Sequence, residues 1–207
     1  MEQELRARLD AAARLGSGPI SDAMEGLRLP RAVVTGWRYV TADPFTALVG
    51  PAFTMRQTAK GRGRDHDDND TRQGEVAAQL AAPGEVIVID VGGRTDIATW
   101  GETYSTQAQT RGVAGLVING ALRDSARVQR SGFPVLCRAV SPVASRWDLA
   151  TAAVGEPLTI GGVLINPGDI VYGDGDGVLI IPRVDAVAVF DRALAIARSE
   201  EQIRADA

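Results

Sequence analysis

The chain has 207 residues, enough for one domain with its own core. Hydrophobic residues make up 45% and charged residues 23%, a globular balance rather than a disordered or fibrous one. A net charge of −4 and a pI near 5.1 argue against a dedicated nucleic-acid binder, and no apolar run approaches the roughly 20 residues of a membrane span.

Residues 3–15 carry Leu5, Leu9, Ala12 and Ala13 at helical spacing, and Gly16-Ser17-Gly18-Pro19 is expected to end that helix. This opening is charged and helical, unlike a secretory signal, so a cytoplasmic protein is expected. Ser21 reads as the N-cap of a short helix from Asp22 to Leu27, closed by Pro30. From Val33 to Met55 the texture is that of strands, with Gly50-Pro51 suggesting a bulge or an edge. Residues 58–74 form a strongly polar stretch holding Asp65, Asp67, Asp68, Asp70 and the sole histidine, His66. It reads as a solvated loop, with an active-site flap or second cation site as the sharper alternative.

After it the order becomes regular. A helix from Gly74 to Ala82 precedes strand 86–91, a glycine loop and a helix from Glu102 to Arg111. Strand 114–120, a helix from Asp124 to Arg130 and strand 133–140 follow. This alternation predicts βαβ units. Residues 157–165 read as a hairpin around Gly161-Gly162, 170–182 as two strands around an Asp-Gly corner, and Val184 to Ala207 as a closing helix. With no linker or repeat in evidence, residues 1–207 are expected to form a single domain, a layered α/β fold with mixed sheets.

Several tempting motifs fail on chemistry. Gly92-Gly93 follows a strand, but the Gly-x-Gly-x-x-Gly of a dinucleotide site is absent. Asp174-Gly175-Asp176-Gly177 lacks the later ligands of a calcium loop. Cys137, the only cysteine, lies in an apolar run and reads as a small core residue. The better candidate is Arg123-Asp124, delivered by a glycine turn from a strand end to a helix start. Asp124 either caps that helix or belongs to a site, and the local pattern leaves both open. Trp100-Gly101-Glu102 ends the earlier glycine loop at a second such crossover. If the two crossovers are neighbours, two carboxylates and a guanidinium converge. Such a set suits a hard divalent cation beside an anionic substrate.

Glu102, then 20 residues, then Arg123-Asp124 resembles the acid-x20-Arg-Asp signature shared by the 4-hydroxy-4-methyl-2-oxoglutarate (4-carboxy-4-hydroxy-2-oxoadipate) aldolases and the regulator of ribonuclease activity A. The likeness runs through Ser21-Asp22-Ala23, Val49-Gly50-Pro51-Ala52, Pro83-Gly84-Glu85-Val86, Gly112 to Asp124, Gly132-Phe133-Pro134-Val135, Gly161-Gly162-Val163, Pro167-Gly168-Asp169 and Asp174 to Val178. The resemblance implies an α-β-β-α sandwich of the swivelling-domain type, assembled as a homotrimer or homohexamer with sites between subunits. It implies Mg2+ or Mn2+ at Asp124, with Glu102 reaching the ion through water. Arg123, Gly101, Thr103 and Tyr104 would bind a small 2-oxo acid, and a neighbour's Glu200 or Glu201 would join the metal shell. The implied activity is a class II aldolase that releases pyruvate, with oxaloacetate decarboxylation through the same enolate. A non-catalytic regulator binding a ribonuclease, or a sibling enzyme for another carboxylate, are the alternatives. Asn119, where many members carry Asp, is a departure.

Overall fold

The computed structural model describes residues 2–60 and 70–206. In chain order, helices α1 (Glu2–Ala12) and α2 (Ser17–Gly26) precede strands β1 (Val33–Val34), β2 (Arg38–Val40) and β3 (Leu48–Ala59). Helix α3 (Gln73–Glu75) widens into a π turn, Val76–Leu80. Then come β4 (Val86–Asp90), β5 (Ala98–Trp100), α4 (Glu102–Thr110), β6 (Gly115–Leu122), α5 (Ser125–Ser131) and β7 (Val135–Val140). The chain goes on through β8 (Leu149–Val154), β9 (Leu158–Ile160), β10 (Val163–Ile165), β11 (Ile170–Asp174), β12 (Gly177–Ile181) and α6 (Ala186–Ala205).

The strands order as β1-β12-β11-β3-β4-β6-β7-β2, with β5 beside β6 and β8 beside β3. Pairing is parallel along β3-β4-β6-β7 and antiparallel elsewhere on this path. The central strands are apolar on both sides because each face is covered, and successive side chains point opposite ways. On β4, Ile87 and Ile89 pack with Val76, Ala108 and Val128 beneath α3, α4 and α5, whereas Val86 and Val88 face the other way. There they meet Val171 of β11 and Val178 and Ile180 of β12. The opposite faces of β11 and β12, with Ile170, Tyr172, Leu179 and Ile181, pack on Leu5, Ile20 and Phe190 of α1, α2 and α6. Three apolar interfaces thus separate four layers, and the α-β-β-α sandwich with mixed sheets is the observed fold. Burying each of these aliphatic side chains stabilises the fold by about 1.5–3 kcal/mol.

Some boundaries differ from those expected. The run 16–19 opens α2 instead of ending α1, and Ser21 lies inside that helix. First-turn amides need no acceptor within the helix, so Pro19 fits there. The Ser17 amide donates to Asp174 Oδ2 at 2.7 Å instead. Gly50-Pro51 makes no bulge, and up to Pro51 β3 is paired on one side only, by β11, a local edge. Here β3 changes partner, with Pro51 opposite Ile170 of β11 and Ala52 opposite Val86 of β4. The missing Gly50 side chain leaves room for the carbonyl oxygen of Gly84. The register shift comes later, between Arg56 and Gln57. Strands β5 and β8 were not anticipated. Among the described residues, no helix is long and apolar enough to cross a membrane.

Candidate active site

The site forms where β5 and β6 end side by side. Ala98 and Trp100 pair in parallel with Ala121 and Leu122, so the residues that follow each strand emerge together. The Arg123 amide donates to the Trp100 carbonyl at 2.9 Å, tying the two crossovers. They meet as the sequence suggested, through a short strand that the sequence did not reveal.

Gly101 makes the approach possible. A β-carbon there would lie 2.8 Å from both Arg123 Cγ and Asp124 Oδ2. Asp124 holds a left-handed backbone, φ 54°, that few non-glycine residues adopt. It occupies the N-cap position of α5 yet makes no side-chain cap bond. Its Oδ2 lies 3.2 Å from Arg123 Nε, and both side chains are partly exposed. The simple capping role is therefore not what the carboxylate does. Glu102 is the first residue of α4, directly after Gly101, and its Oε2 accepts from Arg127 Nη1 at 3.2 Å. Arg127 in turn is anchored one turn into α5, its amide donating to the Asp124 carbonyl.

Arg123, Gly101, Thr103 and Tyr104 line one cavity of about 330 Å3, a size suited to a small metabolite. The first hydrogen bond of α4 runs from the Ser105 amide to the Gly101 carbonyl, so the amides of residues 102–104 precede the helical ladder. Unclaimed amides and the positive end of the helix favour an anion there. On the other side, Arg123 and Asp124 border a shallower groove with Val140 and Pro142. The two crossovers are thus adjacent within one chain, though Asp124 lines only the groove and Glu102 neither cavity; the remaining expected ligands are Glu200 and Glu201. These stand near the end of α6, which packs on α1 and α2, and they line neither cavity.

Among the described residues no three His, Cys, Asp or Glu side chains cluster as a metal cage. The donor set at this corner is the carboxylate pair Glu102 and Asp124. It fits Mg2+ or Mn2+, hard cations suited to oxygen donors. Mg2+ in particular keeps several waters and takes only one or two carboxylates.

The other candidates resolve simply. Cys137 is fully buried, and burial pushes its thiol up to about 11. The Asp-Gly corner is a turn, Asp174 accepting the amides of Ser17 and Asp176. His66, Asp65, Asp67 and Asp68, and with them the flap or second cation site, lie outside the described residues, while Asp70 Oδ1 lies 3.6 Å from Lys60 Nζ. Asn119 has a reason to be an amide: its Nδ2 donates to Asp90 Oδ1 at 2.6 Å. Its Oδ1 accepts from Arg138 Nη1 at 3.4 Å.

Sequence reasoning missed the rest of the cavity wall. Gln73, Thr99, Ser145 and Arg146 line it with Arg123. Gln73 Nε2 donates to Thr99 Oγ1 at 2.9 Å and Ser145 Oγ at 3.1 Å; Thr99 donates to Gln57 Oε1. The only local signal was Thr99, a polar residue in an apolar run next to Trp100-Gly101-Glu102.

A family model described as RraA-like, Aldolase/RraA, matches residues 18–180. A protein of Halalkalibacterium halodurans named "Putative 4-hydroxy-4-methyl-2-oxoglutarate aldolase" is 34% identical over 84% of this chain and 76% of its own length. A Burkholderia mallei protein of the same name is 39% identical over 64% of this chain and 74% of its own. The crystal structure of RraAS2 from Streptomyces coelicolor, described as an unusual member of the RNase ES inhibitor RraA protein family, superposes with a TM-score of 0.80. It is 28% identical and covers 96% of each chain.

Proposed function

The chain belongs to the RraA-like, Aldolase/RraA family, and from that premise we propose that it is a divalent-metal-dependent aldolase. It cleaves a 4-hydroxy-2-oxo acid to pyruvate and decarboxylates oxaloacetate through the same enolate. The observation that carries this reading is the fit of Gly101 against Arg123 and Asp124, which holds an uncapped carboxylate and a guanidinium beside a helix N-terminus.

In this reading the substrate carboxylate lies against the amides of Thr103 and Tyr104, and Arg123 contacts the carboxylate and the 2-keto oxygen. Glu102, directly or through water, takes the proton of the C4 hydroxyl. The C3–C4 bond then breaks, its electron pair moves into the C2–C3 bond, and C4 becomes a carbonyl. Negative charge grows on the 2-keto oxygen, where Arg123 favours it, and protonation at C3 completes pyruvate. Glu102 and Asp124 would hold Mg2+ or Mn2+, which when bound supplies Lewis-acid polarisation of the keto group. We take the working assembly to be a homotrimer or homohexamer in the cytoplasm, with sites between subunits. The exposed Val140, Val143 and Trp147 near the site support an interface there.

The test is pyruvate release from 4-hydroxy-4-methyl-2-oxoglutarate and oxaloacetate, with Mg2+, with Mn2+ and after chelation. Metal-dependent release is expected. No release with any divalent metal overturns the aldolase reading and leaves a sibling enzyme for another carboxylate or the regulator reading, which the likeness to the Streptomyces protein favours.

A further inference from the structure

The polar part of the cavity wall has a fixed hydrogen-bond direction. The Thr71 carbonyl can only accept, so Gln57 presents Nε2 to it, at 2.9 Å. Gln57 Oε1 therefore faces Thr99, whose hydroxyl must donate to it. Thr99 Oγ1 is then left to accept from Gln73 Nε2, whose other hydrogen goes to Ser145 Oγ. A backbone carbonyl thus sets the orientation of an amide two side chains away. The end of the chain is Gln73 Oε1, buried and with no hydrogen-bond partner among the described residues. Ser145 accepts from Gln73, which leaves its own hydroxyl hydrogen to give.

A buried acceptor without a donor is costly, and native structures rarely keep one without a purpose. Gln73 and Ser145 both line the cavity that holds Arg123. We propose that they form a specificity subsite for a hydroxyl, or another O–H or N–H donor, at the end of the ligand remote from its carboxylate. The ligand hydroxyl donates to Gln73 Oε1 and accepts from Ser145. A second carboxylate at this spot has no hydrogen to give and meets the Gln73 lone pairs. The ligand class is therefore a small 2-oxo acid with a hydroxylated tail. This inference rests on the aldolase reading for the placement of the acid head.

N-Propyloxamate and N-(2-hydroxyethyl)oxamate test it. They are pyruvate-like anions that differ by a terminal methyl against a hydroxyl, and neither contains a bond that a retro-aldol breaks. Calorimetric binding to the wild-type protein with Mg2+ is expected to favour the hydroxyethyl compound at least tenfold, because a pocket built for a hydroxyl rejects the analogue without one. In Gln73→Met the ratio of affinities falls toward one, whereas a purely structural role lowers both affinities together. Equal binding by the wild type overturns the proposal, whether or not the variant folds. Failure of both to bind overturns it too, because the acid head then has no seat. Oxaloacetate turnover on the same preparation reports separately on the aldolase reading: a hydroxyl preference without turnover supports the subsite and counts against the aldolase.

Discussion

Gly101 and Asp124 touch across the two strand ends, so closely that a methyl group on Gly101 would stand 2.8 Å from Asp124 Oδ2. The Gly101 backbone is extended, φ −161°, a conformation that alanine adopts freely. Gly101→Ala therefore acts through steric displacement and not through backbone strain. Arg123 and Asp124 move, and a misplacement of about 1 Å costs on the order of 100-fold in turnover. Oxaloacetate decarboxylation should fall by that factor, while circular dichroism reports a folded protein.

Asp124 separates stability from activity. Its left-handed backbone is strained, and its side chain gives the helix no cap bond. Asp124→Gly relieves the strain and should leave stability equal or up to about 1 kcal/mol higher. The same change removes the proposed metal ligand, so Mg2+-dependent turnover should drop at least 100-fold. Chemical denaturation and a pyruvate assay on one preparation check both halves. A variant as active as the wild type sinks the site assignment.

Replacing Asn119 by aspartate carries a penalty in this fold. The amide donates to Asp90, and a carboxylate in its place would set two anions within hydrogen-bond distance. Asn119→Asp should destabilise the fold by about 1–3 kcal/mol at neutral pH. The loss should shrink toward pH 4, where the introduced carboxylate takes up a proton. Denaturant midpoints at pH 4.5 and pH 8 measure the difference.

Cys137 should resist alkylation in the native protein. Its thiol is pushed up to about 11 from an ordinary value of 9, mainly by burial. The unfolded chain therefore loses this proton first as pH rises. The stability that the neutral thiol contributes is complete below the unfolded value and is lost between about pH 9 and 11. Iodoacetamide at pH 8 should label the protein only in denaturant.

Much of the fold was legible because each layer left its period in the chain. The stretches VIVI of β4 and LVI of β6 are apolar, as strands covered on both faces are, and Gly92-Gly93 marked where β4 ended, whereas Gly120, expected to turn the chain, lies inside β6, which runs on to Leu122. The pairing of Glu102 with Arg123-Asp124 was legible because each lay at a strand-to-helix crossover. What stayed hidden depended on contacts distant in sequence. Strand β8 is rich in alanine, a weak strand former, and owes its conformation to pairing with β3. The start of α2 is set by Asp174, at the far end of the chain. Gln73, Thr99 and Ser145 sit in three separate elements, and only the folded wall brings them together.

Strand β3 pairs with β11 at its start, β4 along its middle and β8 at its end. On a ribosome it emerges early, well ahead of β8 and β11. Until they arrive, its two ends expose unpaired backbone, a template for pairing with other chains. The β4-β6-β7 core can assemble beforehand, but the second sheet closes only when the C-terminal strands are made. The nascent chain thus passes through a stage in which the Arg123-Asp124 corner is already made while β3 still lacks its later partners.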